Sequence, residues 1–210
     1  MVAEQLASRD VRDPRVLSAL SRVARERFVP AHLAGRAYED GPLPIGGGQT
    51  IAQPYIVARM CELLGLAGDE RVLEVGAGSG YHAAVLSLLA RQVYSLEIVP
   101  ELAEHAARLL ASLGIDNVLV ACRDGSAGWP EHAPFQGILV TAGAPRLPTL
   151  LLGQLAEGGR LVIPVGPRDA QRLVRITRHG ERYHTDDDIA VRFVDLTGEY
   201  GWGGRGPTEA

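Results

Sequence analysis

At 210 residues the chain is long enough for one domain burying roughly 70 % of the surface its unfolded form exposes, and 46 % hydrophobic with 22 % charged residues is ordinary globular composition. Lys and Arg total 21 against 25 Asp and Glu, a formal net charge of -4 that excludes the basic footprint of a nucleic-acid binder. No run approaches the ~20 apolar residues of a membrane span, and Met1 to Asp10 hold no apolar core of signal-peptide length, so a soluble cytoplasmic chain is expected.

In chain order, Asp13-Pro14 opens a helical stripe of Val16, Leu17, Leu20, Val23 and Ala24 that runs to about Phe28. Residues 35 to 50 have loop composition, with seven glycines and prolines. Pro54 suits a first helical position, and Tyr55 to Leu64 continue as helix. From Arg71 strands at 71–75, 92–98, 117–122, 136–141 and 160–165 alternate with helices at 81–90, 100–113 and 147–157. Several of these strands are apolar nearly throughout, as in a parallel sheet covered on both faces, which makes the fold class doubly wound α/β.

The last two strands, 172–178 and 189–196, alternate at period two and should form an antiparallel hairpin, with Asp186-Asp187-Asp188 in its solvated turn. The tail from Gly201 is glycine-rich and expected to be mobile unless Trp202 docks it. Cys61 and Cys122 are read as buried reduced thiols, and six scattered histidines show no ligand spacing, so no metal site is expected. Without a repeat or coiled-coil pattern, the default oligomeric state is a monomer. The organisation expected is a single domain: 1–70 as N-terminal helices and lid, 71–200 as the binding core, and 201–210 as a tail.

The first strand of the α/β pattern runs into Glu74-Val75-Gly76-Ala77-Gly78-Ser79-Gly80 and then a helix, the arrangement of a close backbone approach to a nucleotide-like ligand. A dinucleotide fingerprint needs its third glycine at position 81, where this chain has Tyr81, so a nicotinamide enzyme is disfavoured. Glu97 ends the second strand, where a carboxylate can accept ribose hydroxyls, and Asp124 ends the third, within reach of an adenine edge. A turn glycine, a helix cap or a surface acid would explain each residue singly; their order along the chain is what points to a cofactor.

Glu74 to Gly80 resembles the first motif of class I S-adenosylmethionine-dependent methyltransferases. A longer set resembles the protein-L-isoaspartate O-methyltransferase family: PLPIGGGQTIAQPYIVARM, LEVGAGSGYHAAVL, VYSLEI, GWPEHAPFQGILVTAGAP, QLAEGGRLVIPVG and VRFVDL, in family order from about residue 10 to residue 197. The resemblance implies a Rossmann-like sheet, S-adenosyl-L-methionine as methyl donor with S-adenosyl-L-homocysteine as product, and isoaspartyl (with D-aspartyl) peptides and proteins as acceptors. By position it implies that Glu74, Gly76, Gly78 and Gly80 hold the methionine part, Glu97 and Ile98 the ribose and adenine flank, and Asp124 and Gly125 the adenine. Gln49, Thr50, Ile51 and Ala52 would close over the methionine end as a lid, hinged on Gly46, Gly47 and Gly48.

Two positions depart from the family pattern. Ala52 stands where the family's catalytic serine is usual, and Arg123 stands where glycine is usual before Asp-Gly. Thr50 is therefore the candidate to take over orientation of the acceptor, and Thr141, at the end of the fourth strand, is a second candidate lining residue or else a hydroxyl bonded to backbone. The departures keep two alternatives open: a different carboxylate acceptor, or a catalytically weak S-adenosylmethionine-binding protein.

Overall fold

The computed structural model describes residues 1–203. Asp13 caps helix α1 (Pro14–Arg22), its carboxylate accepting from the Arg15 N–H at 2.8 Å, and the stripe buries Val16, Ala19 and Leu20. The helix is shorter than its periodicity suggests. Val23 is extended, and the chain resumes as a 3₁₀ turn at Arg25–Phe28. The glycine-proline stretch is not only loop: β1 (Leu43–Gly46) and β2 (Gln49–Ile51) pair antiparallel, and Gly47 and Gly48 turn between them at φ of 58° and 72°. Helix α2 (Pro54–Leu64) follows with Pro54 in its first turn and stops on left-handed Gly65.

The core sheet has seven strands in the order β5-β4-β3-β6-β7-β8-β9. Parallel β3 (Arg71–Val75), β4 (Gln92–Glu97) and β5 (Val118–Cys122) are joined by α3 (Tyr81–Ser87) and α4 (Pro100–Ser112). The chain then crosses to the other side of β3, where β6 (Phe135–Val140) and β7 (Leu155–Val165) extend the parallel part. That reversal beside β3 is a topological switch point, and it opens a crevice at the carboxyl ends of β3, β4 and β6. Antiparallel β8 (Gln171–His179) and β9 (Arg182–Val191) complete the sheet. Among the described residues no helix is long and apolar enough to cross a membrane.

Three expected elements are corrected. The helix read over 147–157 is a single turn, α5 (Thr149–Leu152), and β7 already begins at Leu155; leucines at three- and four-residue spacing imitate a helix that ends here on Gly153. The final strand lies at Arg182–Val191 rather than 189–196, and the three aspartates are inside it, not in the turn at Gly180. Arg175 sits directly opposite Asp186 with N–O at 2.7 Å, Arg172 bonds Asp187 at 3.4 Å, and Arg59 of α2 takes Asp188 at 2.5 Å. Opposite charges across strands therefore hold as strand the run that reads as a solvated turn. Cys122, finally, is exposed, because β5 is an edge strand; Cys61 is buried as expected.

Trp202 docks. Its indole donates to the Gly143 carbonyl at 2.9 Å and the Arg168 guanidinium lies 4.3 Å from its ring, while residues 204–210 of the expected mobile tail lie outside the described residues.

Arg59 joins α2 to β9 and also bonds Glu62, whose other oxygen accepts from the Arg12 and Asp13 N–H groups ahead of α1. The three charged side chains are only 14 to 20 % exposed. Arg59→Met leaves two carboxylates without their cation and is expected to cost about 1–3 kcal/mol of unfolding free energy, read from the urea midpoint at unchanged slope.

Candidate active site

A cavity of about 560 Å³ fills the crevice. Its floor is the turn after β3: the N–H groups of Gly76 and Ala77 donate to the Leu96 carbonyl, folding the turn onto β4. Gly76 and Gly78 have positive φ of 99° and 53°, open to glycine at little cost. Thr141 locks this turn, its hydroxyl donating to the Gly76 carbonyl at 2.6 Å, so close that a side chain at Gly76 would collide with the hydroxyl. Of its two expected roles, the structure therefore shows the backbone-bonded one while still placing Thr141 on the cavity wall.

Glu97 is 6 % exposed and holds the opposite side of the turn. Its Oε2 accepts from the Gly78 N–H at 2.8 Å, and its Oε1 accepts from the N–H groups of Ile98 and Val99 at 2.9 and 3.0 Å. A carboxylate has about four acceptor directions, so one remains, on Oε2, for a hydroxyl within the cavity.

Strand β2 and the residues after it cover another side. Gln49, Thr50, Ile51, Ala52 and Gln53 all line the cavity, and Thr50 is exposed to it. Behind this segment, Arg25 is fully buried; its Nη2 donates to the Ala52 carbonyl and its Nε to that of Ala37, each at 2.7 Å. The guanidinium carbon lies 4.8 Å from the centre of the Tyr81 ring, which also lines the cavity. Burial pushes the Tyr81 hydroxyl up to about 12, against the opposing pull of Arg25. Arg25 Nη1 and the Tyr81 hydroxyl have no hydrogen-bond partner.

Of the expected residues, Gln49, Thr50, Ile51, Ala52, Gly76, Gly78, Glu97, Ile98, Gly125 and Thr141 line the cavity; Glu74, Gly80 and Asp124 do not. Strand alternation separates Glu74 from Val75, turning its carboxyl away from the cavity and toward Ser95, whose hydroxyl it accepts. Gly80 serves the packing of α3, since a Cβ there would meet Ala106 at 3.3 Å. Asp124 caps the turn Gly125–Ala127, accepting from the Ser126 N–H at 2.8 Å, and takes the Glu199 N–H at 2.7 Å.

Sequence reasoning missed His82, Arg25 and the wall formed by Ala190 to Thr197. That wall was read as strand from its alternation; Val194 and Leu196 instead bond Gly143 after β9 has ended. His82 is buried against the Cys61 sulfur at 3.3 Å, and burial pulls its pKa down to about 3, so it is neutral. Nothing in the local sequence distinguished it from other helix residues.

A glycine turn at the switch point of a doubly wound sheet, faced by an acid at the end of the next strand, defines a Rossmann-like fold with a site for a nucleoside-bearing cofactor. The family model described as protein-L-isoaspartate(D-aspartate) O-methyltransferase matches residues 1–201. Relatives named protein-L-isoaspartate O-methyltransferase from Pelobacter propionicus and Methanospirillum hungatei are 55 % and 54 % identical, the alignments covering 96 % of this chain in each case and 91 % and 94 % of theirs. Among solved structures, a protein-L-isoaspartate O-methyltransferase superposes with a TM-score of 0.83 at 31 % identity over 94 % of this chain and 66 % of its own. A Plasmodium falciparum protein assigned to the same activity, in complex with S-adenosyl-L-homocysteine, superposes at 0.78 with 28 % identity over 93 % and 96 %. The chain belongs to the protein-L-isoaspartate(D-aspartate) O-methyltransferase family.

Two outcomes follow from the geometry. Gly76→Ala forces the turn off Thr141 and is expected to weaken S-adenosyl-L-homocysteine binding at least tenfold by calorimetry, with the sheet intact by circular dichroism. Burial, opposed by the Ser95 hydrogen bond and helped by Glu97, raises the Glu74 carboxyl to about 8. Its folded-state pKa lies above the unfolded value of about 4, so its contribution to stability is complete below that value and is lost as pH rises to about 8. Relative to Glu74→Gln, the parent protein should lose about 1.4 kcal/mol per pH unit across the middle of that window, measured by denaturant titration at pH 5, 6, 7 and 8.

Proposed function

We propose that the chain is a protein repair enzyme that methylates the free carboxylate of L-isoaspartyl residues, and of D-aspartyl residues, in damaged proteins. The observation that carries this reading is the family match over residues 1–201, extended by relatives more than half identical over nearly the whole chain. We read the chain as one domain, a lid-bearing N-terminal part and a binding core, acting as a cytoplasmic monomer on isoaspartyl peptides and proteins.

S-adenosyl-L-methionine, when bound, supplies a methyl group on a positively charged sulfonium, and transfer makes the carboxylate O–C bond as the C–S bond breaks, with the electron pair passing to sulfur. The residues present suit it. Gly76 and Gly78 leave the backbone bare where a ligand must approach, and Glu97 keeps one acceptor direction for a ribose hydroxyl. Gly125 and Ile98 lie beside the same part of the cavity wall as Glu97 and would flank the adenine. Asp124 supports that wall from behind through its cap on the turn Gly125–Ala127.

No base is needed. The acceptor carboxylate, with an ordinary pKa of about 4, is ionised at neutral pH, and the neutral His82 in the cavity is far too weak a base to take part. What the chain must supply is alignment and exclusion of water. The lid does both: Ile51 and Ala52 bring apolar groups to the cavity, and Arg25 fixes the carbonyl of Ala52. Thr50 offers the lid's hydroxyl in place of the family's serine at position 52.

A single lost hydrogen bond of this kind is worth roughly 0.5–3 kcal/mol, or about two- to a hundredfold in rate, so Ala52 is compatible with slowed catalysis. The experiment is methyl transfer from labelled S-adenosylmethionine to an isoaspartyl peptide, with the aspartyl peptide as control. Transfer to the isoaspartyl peptide alone is expected; transfer to neither, with cofactor still bound, favours the weak-binder reading that Ala52 keeps open. Ala52→Ser should raise turnover about two- to tenfold, and Thr50→Val should lower it by a similar factor while sparing cofactor affinity. Unchanged turnover in Thr50→Val removes Thr50 from the site.

A further inference from the structure

We propose that Arg192 anchors the acceptor carboxylate, binding the oxygen that does not receive the methyl group; this rests on the reaction given above. Arg192 directly follows β9, is exposed, and lines the cavity together with the lid. The other charged lining side chains are committed. Glu97 accepts three backbone N–H groups, and Asp195 is bonded by Arg168, with Nη2 at 2.7 Å and Nε at 2.8 Å from the same oxygen. His82 is neutral and buried against Cys61. Among the described residues Arg192 is therefore the lining cation that carries no carboxylate partner and no side-chain hydrogen bond.

The acceptor needs such a group. Ile51, Ile56, Val57, Phe193 and Val194 make much of the wall apolar, and an ionised carboxylate loses hydration on entering unless a cation or donors replace it. Ala52 offers no hydroxyl there. A guanidinium is planar, stays charged at every working pH, and matches the two oxygens of a carboxylate. An isoaspartyl residue carries that carboxylate directly on Cα, because the main chain continues through its side chain, whereas a normal aspartate carries it one methylene further out. A cation at the end of β9 is thus placed to favour one of these over the other.

The alternative, a solvated arginine with no role, predicts a different result in a charge-swap binding cycle. A fluorescent isoaspartyl peptide and its isoasparaginyl counterpart, in which a neutral carboxamide replaces the carboxylate, are titrated with enzyme saturated with S-adenosyl-L-homocysteine. Arg192→Gln should weaken the isoaspartyl peptide roughly five- to fiftyfold and change the carboxamide peptide less than twofold. Arg192→Lys should recover part of the loss, and KM for the peptide should rise while KM for the methyl donor stays put. Equal losses on both peptides, or no loss on either, overturn the proposal. If the unsubstituted enzyme methylates the isoaspartyl peptide and only this cycle is flat, Arg192 alone is refuted; if it neither binds nor methylates that peptide, the repair reading falls and the anchor with it.

Discussion

The arrangement of the cavity depends on one buried guanidinium. Removing Arg25 from water costs several kcal/mol, and no carboxylate offsets it. Two carbonyls and a ring do: Ala37 before the β1–β2 hairpin, Ala52 at its end, and Tyr81 at the start of α3. These three groups belong to the N-terminal segment, the lid and the helix that follows the glycine turn. A single side chain thus fixes the root of the β1–β2 hairpin to the floor of the cavity, while Gly47 and Gly48 make the turn at its tip.

Around that fixed root the site is built to exclude proton chemistry rather than to perform it. His82 is held neutral by burial, Glu74 is turned away behind β3, and Glu97 is saturated by backbone donors apart from one direction. A carboxylate acceptor arrives already charged, and transfer neutralises it together with the sulfonium. A reaction that destroys two opposite charges is favoured by a site of low dielectric, since the separated ions lose more hydration than the neutral products do. Walls of Ile51, Val57, Val75 and Leu96 suit that demand.

Much of this was legible in the sequence. The apolar strands, the glycine turn after Val75 and the acid at Glu97 stand in their expected places because each follows from local chemistry: burial on two faces, positive φ, a strand end. What was not legible is tertiary. Arg25 sits in a run that reads as ordinary helix surface, and only the fold places it behind Ala52. Asp186 to Asp188 look like a turn until Arg175, Arg172 and Arg59 are found facing them. Glu74 and Asp124 are acids near the right strand ends, but which way a side chain points is set by pleat and by capping, so one went to Ser95 and the other to Ser126.

Ala52 is best understood within this division of labour. Where a base must be generated, losing the catalytic hydroxyl leaves the chemistry without its first step; here the nucleophile and the electrophile both arrive prepared. A hydroxyl there has only orientation to add, and the backbone beneath it is held by Arg25 through a carbonyl that is the same in alanine as in serine. At position 52 the main chain is held by the buried guanidinium whichever of the two side chains stands there. What the structure fixes at this point in the fold is the carbonyl rather than the side chain above it.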